Sequence, residues 1–240
     1  MSKLVVITGA SSGIGKACAI RFSKAGHPLL LLARRIEKLE ALNLPDTLCR
    51  QVDVQDFTSF KNAVDEAQEK FGDVDLIINN AGTMLLGNAA TQNPVEWQQM
   101  LNVNVLGVLN GIKTVLSGMI KRNTGTIVNI SSIAGRKTFP DHAAYCATKF
   151  AVHALSENIR QEIANSNVRM TIIAPGVVET DLLSHTTDAT LIDNYHNWKA
   201  TTIKEGLDPD DIAKSISFAY LQPQSVCIRE LVIASTRQDA

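Results

Sequence analysis

No segment of the 240-residue sequence reaches the roughly 18 consecutive apolar residues that a membrane-spanning helix needs. The N-terminus, MSKLVVITGA, lacks the longer apolar core and small-residue cleavage site of a secretory signal. Its short apolar run reads as a first strand. There are 4 cysteines, Cys18, Cys49, Cys146 and Cys227, and none stands in a CxxC or other metal-ligand spacing. Small buried thiols in a reducing compartment are expected, with the cytoplasm as the address. The formal charge is −1, so no excess of either sign points to nucleic acid or to a membrane surface. Internal repeats, low-complexity tracts and proline-rich linkers are missing too, which argues for a single domain spanning residues 1–240.

Apolar residues make up 45% of the chain and charged residues 20%, enough to bury a sheet between two helical layers. Short apolar runs recur at 4–7, 29–32, 48–52, 76–78, 127–130, 170–173 and 231–233. Several are apolar at consecutive positions, as strands buried on both faces require. Between them, residues 15–26, 58–71, 97–121 and 143–165 carry apolar residues three and four apart, which predicts helices. Strict alternation of the two predicts a doubly wound parallel α/β sheet of about seven strands, a three-layer Rossmann fold. Residues 181–207 break the rhythm. That stretch is polar, contains Tyr195 and Trp198, and is too long for an ordinary connection. It is expected to form a substrate-binding loop or lid.

Directly after the first run comes Thr8-Gly9-Ala10-Ser11-Ser12-Gly13-Ile14-Gly15, followed by a helical segment. Glycines in a strand-to-helix turn let the backbone approach a pyrophosphate, and the helix N-terminus offers free N–H groups to it. The end of the second run identifies the dinucleotide. An NAD site usually places a carboxylate about 20 residues after the glycines to bond the ribose hydroxyls. Here the sequence reads Leu32-Ala33-Arg34-Arg35, with no acid before Glu37. Arginine binds a 2′-phosphate in a two-point, charge-assisted bond that a carboxylate would repel. NADP(H) is therefore the expected cofactor, with Arg34 the first choice for its phosphate and Arg35 the second.

Tyr145 and Lys149 stand four residues apart in a predicted helix, one turn apart on the same face. A cation beside the phenol favours the phenolate and brings its pKa from near 10 towards the working range. The same spacing recurs at Tyr195 and Lys199. Only Tyr145 follows a strand closely, 13 residues after Ser132, and the carboxyl ends of parallel strands are where such sheets build sites.

Taken together, these residues resemble the short-chain dehydrogenase/reductase family along nearly the whole chain. The matching stretches are TGASSGIG at 8–15, Asp53-Val54, NNAG at 79–82, NVNVLG at 102–107, NISS at 129–132, YCATK at 145–149 and PGVVET at 175–180. The resemblance implies that Tyr145 is the general acid/base and that Ser132 bonds the substrate oxygen. It makes Lys149 the residue that lowers the tyrosine pKa and holds the nicotinamide ribose, and Asn104 the holder of a relay water. Gly9, Ser11, Ser12, Gly13, Ile14, Gly15, Arg34, Arg35, Asp53, Val54, Asn80, Ala81, Gly82, Pro175, Gly176, Val178 and Thr180 would complete the cofactor groove. The family's spacing selects Ser132 over Ser131 and Asn104 over Asn102, while Asn79 reads as strand support. One departure is Ser12, where many NADP-using members carry a basic residue.

The stretch SIAGRKTFP and the ending ELVIASTRQ resemble the branch that handles short 3-hydroxy acids. Such a substrate needs a cation, for which Arg136 is the candidate. His142 and His185 are either substrate contacts or ordinary surface or core residues. A homodimer or homotetramer is expected by analogy, through helices at 97–121 and 143–165. Two alternatives stand beside this reading: an NAD-preferring dehydrogenase, and a nucleotide-sensing protein without turnover.

Overall fold

The computed structural model describes residues 3–238. Seven strands form one parallel sheet: β1 (Leu4–Thr8), β2 (Leu29–Ala33), β3 (Thr47–Gln51), β4 (Val74–Asn79), β5 (Gly125–Ile130), β6 (Val168–Pro175) and β7 (Glu230–Ile233). Their order is β3-β2-β1-β4-β5-β6-β7, so the direction of winding reverses between β1 and β4. The crevice outside the carboxyl ends of those two strands is where a sheet of this type binds ligands.

The consecutive apolar runs are explained by the two faces. Leu4, Val6, Leu30 and Leu32 enter one core, and their neighbours Val5, Ile7, Leu29 and Leu31 enter the other. Successive strand side chains point to opposite faces, so a strand covered on both sides is apolar at every position. The first core is closed by α3 (Phe57–Phe71), α5 (Gly107–Arg122) and α6 (Ala143–Glu162). The second is closed by α1 (Gly13–Lys24), the short α2 (Ile36–Glu40) and α8 (Pro209–Tyr220). The expected doubly wound, three-layer architecture is what the chain forms.

Residues 181–207 are more ordered than the sequence suggests. They contain a 3-10 turn (Asp181–His185), α7 (Ala189–Trp198) and a π-helical turn (Lys199–Ile203). Asp188 starts α7 by accepting the Thr190 and Leu191 N–H groups at 2.9 and 3.2 Å. The apolar residues of this segment, Leu182, Leu183, Leu191 and Tyr195, pack on a third cluster built from Met84, Leu85, Leu86, Met100, Ala134, Tyr145 and Cys146. Polarity at its outer positions hides a helix whose apolar side faces a cleft.

Helix α4 (Pro94–Leu101) runs through a π-helical turn (Asn102–Leu106) into α5. The 29-residue helical stretch is long and apolar enough to cross a membrane by length and composition, which alone is weak evidence. Its α5 portion contributes Val108, Ile112, Val115 and Met119 to the first core. Helix α5 also approaches β4 very closely at Gly111, where an added Cβ would lie 2.0 Å from Asn79 Oδ1. Asn79 is locked in place by donating to Asn129 Oδ1 at 2.8 Å across the β4–β5 pair. A strand-supporting role for Asn79, expected from the sequence, is therefore visible in its contacts.

Replacing Gly111 by alanine gains about 1 kcal/mol in helix propensity. Overpacking of a filled interior costs about 1–3 kcal/mol, and a Cβ placed 2.0 Å from the oxygen of a pinned side chain lies at the severe end. Gly111→Ala should lower the thermal midpoint by several degrees in a melting experiment. An unchanged or higher midpoint would contradict this packing.

Candidate active site

The crevice at the β1–β4 switch opens into a cleft of about 790 Å³. One end begins at the glycine turn between β1 and α1. Gly9 and Gly13 adopt φ of +65° and +51°, in the left-handed region that side chains disfavour. At Gly15 an added Cβ would sit 2.4 Å from the Gly9 carbonyl oxygen, so only glycine lets α1 start this close to the turn. Asn80, at the end of β4, fastens the turn from below. Its Nδ2 donates to the Thr8 carbonyl at 2.9 Å, and its N–H donates to Thr8 Oγ1 at 2.9 Å. Asp56, Asn93, Asp188 and Asp208 cap their helices through side-chain oxygens, whereas Ser12 at the start of α1 makes no such bond. The first turn of α1 holds no acidic residue either. Its N–H groups thus face the cleft as an anion-binding set.

Arg34 and Arg35 both line this end. It is Arg35 whose guanidinium crosses to the glycine turn, donating to Ser11 Oγ at 3.1 Å and Ser12 Oγ at 3.4 Å. A cation from the end of β2 thereby stands where the turn itself has Ser12. Arg34, the first choice for the 2′-phosphate from the sequence, lines the same end and, among the described residues, makes no such side-chain bond to the turn. Asp53, Val54, Ala81 and Gly82 line the same wall, and the buried Val54 is held by Asn110, which donates to its carbonyl at 2.9 Å. Pro175, Gly176, Val178 and Thr180 line the opposite wall, and the Thr180 methyl would meet a Cβ on Gly13 at 2.9 Å. A phosphorylated dinucleotide fits these residues: tight backbone, free helix N–H groups, two guanidiniums, and no carboxylate on Arg34 or Arg35 among the described residues.

At the middle of the cleft, Ser132 and Tyr145 meet. Ser132 caps the short turn after β5, accepting the Ala134 N–H at 3.0 Å and donating towards the Pro175 carbonyl at 3.4 Å. Ser131, one residue earlier, is turned into the interior, where its hydroxyl donates to the Lys149 carbonyl at 3.2 Å. Helix α6 carries Tyr145 and Lys149 on one face, with the ammonium 5.7 Å from the phenol ring centroid. Both groups are buried, and burial governs their titration. It pushes the phenol above its usual value, opposed by the Ser132 hydroxyl, and lowers Lys149 to about 8. Burial is the largest influence on both groups, and Lys149 Nζ donates to the Ile130 carbonyl at 3.0 Å.

Asn104 lies behind the cleft wall rather than in it. The π-helical turn swings its amide onto Thr83, accepting the Thr83 N–H at 2.8 Å and donating to its carbonyl at 2.9 Å. A third bond, to Thr148 Oγ1 at 3.1 Å, ties it to α6 beside Lys149. A π-turn inside an α-helix often marks a functional position. Asn102 is half-buried and bonds only along its own helix, to Gln98 at 2.7 Å. Thr148 and Gln238 stand in the YCATK and ELVIASTRQ stretches, where the sequence singles out neither. Gln238 lines the cleft and accepts the Val177 N–H at 2.9 Å.

The far end of the cleft is walled by Met84, Leu86, Phe139, Leu182, Leu191 and Trp198. Arg136 is not there. Its guanidinium forms a two-point pair with Glu230 on β7, at 2.8 and 2.9 Å, outside the cleft lining. Lys199, which does line the cleft, is paired with Glu179. His142 presents a polar group at this end. Its Nδ1–H donates to the Pro140 carbonyl at 2.7 Å, burial lowers its pKa, and Nε2 is left as an acceptor. His185 lines the cleft at the arginine end instead, facing Arg34 and Arg35.

The profile of the family described as short chain dehydrogenase matches residues 3–190. An oxidoreductase of Staphylococcus saprophyticus is 38% identical over 98% of this chain and 97% of its own length. Among solved structures, a closed form of serine dehydrogenase complexed with NADP+ superposes with a TM-score of 0.91 at 28% identity, covering 99% of this chain and 96% of that one. An alcohol dehydrogenase from the archaeon Thermococcus sibiricus, complexed with 5-hydroxy-NADP, gives 0.87 at 27% identity, covering 100% and 99%. Neighbours this similar with NADP bound support NADP(H) as the cofactor of the cleft described above.

Burial of Lys149 has a measurable consequence for stability. Its folded pKa of about 8 lies below the unfolded value of about 10.4. Between those limits the unfolded chain holds more protons, so this residue makes stability rise with pH. Compared with Lys149→Met, the wild type should gain stability as pH goes from 7 to 9.5 in urea denaturation. A difference independent of pH would contradict a desolvated ammonium.

Proposed function

The chain belongs to the short-chain dehydrogenase family, and we propose that it is an NADP(H)-dependent oxidoreductase acting on a neutral, largely apolar carbonyl compound or the corresponding alcohol. The observation that carries this reading is the meeting of Ser132 and Tyr145 midway along one cleft. A cationic, backbone-lined end lies on one side of them and an apolar end on the other.

NADP(H), when bound, supplies or accepts the hydride. The chain's own residues do the rest. In reduction, the phenol of Tyr145 gives its proton to the substrate oxygen, and its raised pKa keeps that proton available across the neutral range. The Ser132 hydroxyl turns from its long bond to Pro175 to the same oxygen and steadies the charge that develops there. Lys149 would hold the nicotinamide ribose and balance the phenolate left behind. Asn104, bonded to Thr83 and Thr148 beneath Lys149, supports a route for the proton that restores the phenol. Residues 181–207 close the apolar end as a lid.

A short 3-hydroxy acid fits this cleft poorly. A carboxylate buried at the apolar end, away from Arg34 and Arg35, costs several kcal/mol unless a cation meets it, and Arg136 and Lys199 are committed to Glu230 and Glu179. The apolar wall and the acceptor at His142 suit a neutral body instead. Arg34 and Arg35 argue against the NAD-preferring alternative. The intact Ser132, Tyr145 and Lys149 argue against a protein that only senses nucleotide. Exposed Leu101, Leu106, Leu109, Ile120 and Phe150 on α4–α6 support a homodimer or homotetramer through these helices. The thiols, all free with Cys18 and Cys146 buried, suit the cytoplasm.

Tyr145→Phe should reduce ketone turnover with NADPH by about 10²-fold or more, while the NADPH dissociation constant stays within about twofold, as expected when only a transition-state contact is removed. Wild-type turnover in the variant would contradict the assignment of the proton donor.

A further inference from the structure

The 3-10 turn Asp181–His185 follows Thr180, whose methyl group rests against Gly13 of the glycine turn. The turn therefore begins directly over the start of α1. At its end, His185 lines the same cleft as Arg34 and Arg35. Its Nδ1 is sealed from water and has no hydrogen-bond partner among the described residues. The charged groups facing the ring are Arg34 and Arg35 from the end of β2 and Asp181 from its own turn. Burial and the two guanidiniums outweigh Asp181 and hold the imidazole neutral at pH 7. With Nδ1 sealed, Nε2 is the ring nitrogen left to meet a ligand, and a proton there makes it a donor.

Two guanidiniums without a carboxylate and one imidazole donor thus converge on one end of a cleft. Arg35 reaches the turn by way of Ser11 and Ser12, while the Arg34 guanidinium has no hydrogen-bond partner among the described residues and its carbonyl accepts from Gln51. Side chains that attract a dianion and find none in their own chain describe an anion site. We propose that His185 is a third ligand of the cofactor's 2′-phosphate, carried on the lid, so that the lid itself distinguishes NADP(H) from NAD(H). The inference rests on NADP(H) as the cofactor. It adds a residue that moves with residues 181–207 to the two that are fixed at the end of β2. The 2′-phosphate then favours the closed lid through a contact that NAD(H) cannot make.

The test is binding, followed by nicotinamide fluorescence, of NADPH and NADH to wild type, His185→Leu and His185→Gln. Hydrogen bonds to a charged group contribute about 1.5–3 kcal/mol, so His185→Leu should weaken NADPH by roughly tenfold or more. NADH should change by less than about twofold, a size that leaves no room for a charge-assisted bond. His185→Gln, which keeps an N–H donor, should recover most of the NADPH affinity. Hydrogen exchange in residues 181–203 should slow with NADPH in the wild type and in His185→Gln, but much less in His185→Leu. Equal weakening of both nucleotides would overturn the proposal by making His185 a general support of the lid. No weakening of either would overturn it as well. Failure of the cofactor reading is separately visible, as wild type binding NADH as tightly as NADPH.

Discussion

Burying the Lys149 ammonium is costly unless oxygen atoms receive it, and the arrangement around it follows from that requirement. The Ile130 carbonyl, the last of β5, takes one of its protons at 3.0 Å. Gly82 leaves the space above, where a Cβ would come within 3.9 Å of Nζ and 3.4 Å of Asn104 Oδ1. Asn104 is in turn fixed by Thr83 and Thr148, and the π-turn that delivers it interrupts the longest helical stretch of the chain. A strand end, a helix irregularity and one face of α6 together hold one charge beside one phenol. The sheet order creates the place, because β4 and β5 end side by side next to the winding reversal.

The two ends of the cleft answer opposite demands. At the glycine turn the chain exposes donors and cations: α1 starts without a side-chain cap, and Arg35 spans from β2 to Ser11 and Ser12. At the far end it exposes hydrocarbon, from Met84 and Leu86 after β4, Phe139 before α6, and Leu182 and Leu191 on the lid. A phosphorylated nucleotide and a neutral substrate can therefore enter one cleft without competing for the same contacts. The reacting groups lie where the two environments meet, and burial raises the phenol and lowers the ammonium.

Much of this was legible before the structure. Consecutive apolar residues such as Val5–Ile7 and Leu29–Leu32 report a sheet covered on both faces, and the glycines at 9, 13 and 15 report a turn with no room for side chains. Tyr145 and Lys149 meet because a helix repeats every 3.6 residues. What escaped were contacts made over long separations in sequence. Arg136 finds Glu230 94 residues away on β7, so its charge is spent before any substrate arrives. Arg34 and Arg35 are equivalent as letters, and only the path of the chain beyond β2 decides which one reaches Ser11. Helix α7 was missed because its apolar side faces a cleft and contributes few fully buried residues. Helix α8 had a readable start in Asp208-Pro209, a capping residue followed by proline at the first helical position. Asn104 is singled out by the family resemblance, but its place behind the wall, bonded to backbone on both sides of its amide, belongs to the π-turn and to no sequence pattern.

The most direct test compares a neutral ketone with the same skeleton bearing a carboxylate, each reduced by the purified protein with NADPH and followed by loss of nicotinamide absorbance. Removing a carboxylate that would lie at the apolar end, away from Arg34 and Arg35, should favour the neutral ketone by about tenfold or more in kcat/KM, since each factor of ten needs only about 1.4 kcal/mol. Preference for the carboxylate, or oxidation of NADPH by neither compound across a series of skeletons, would contradict the account.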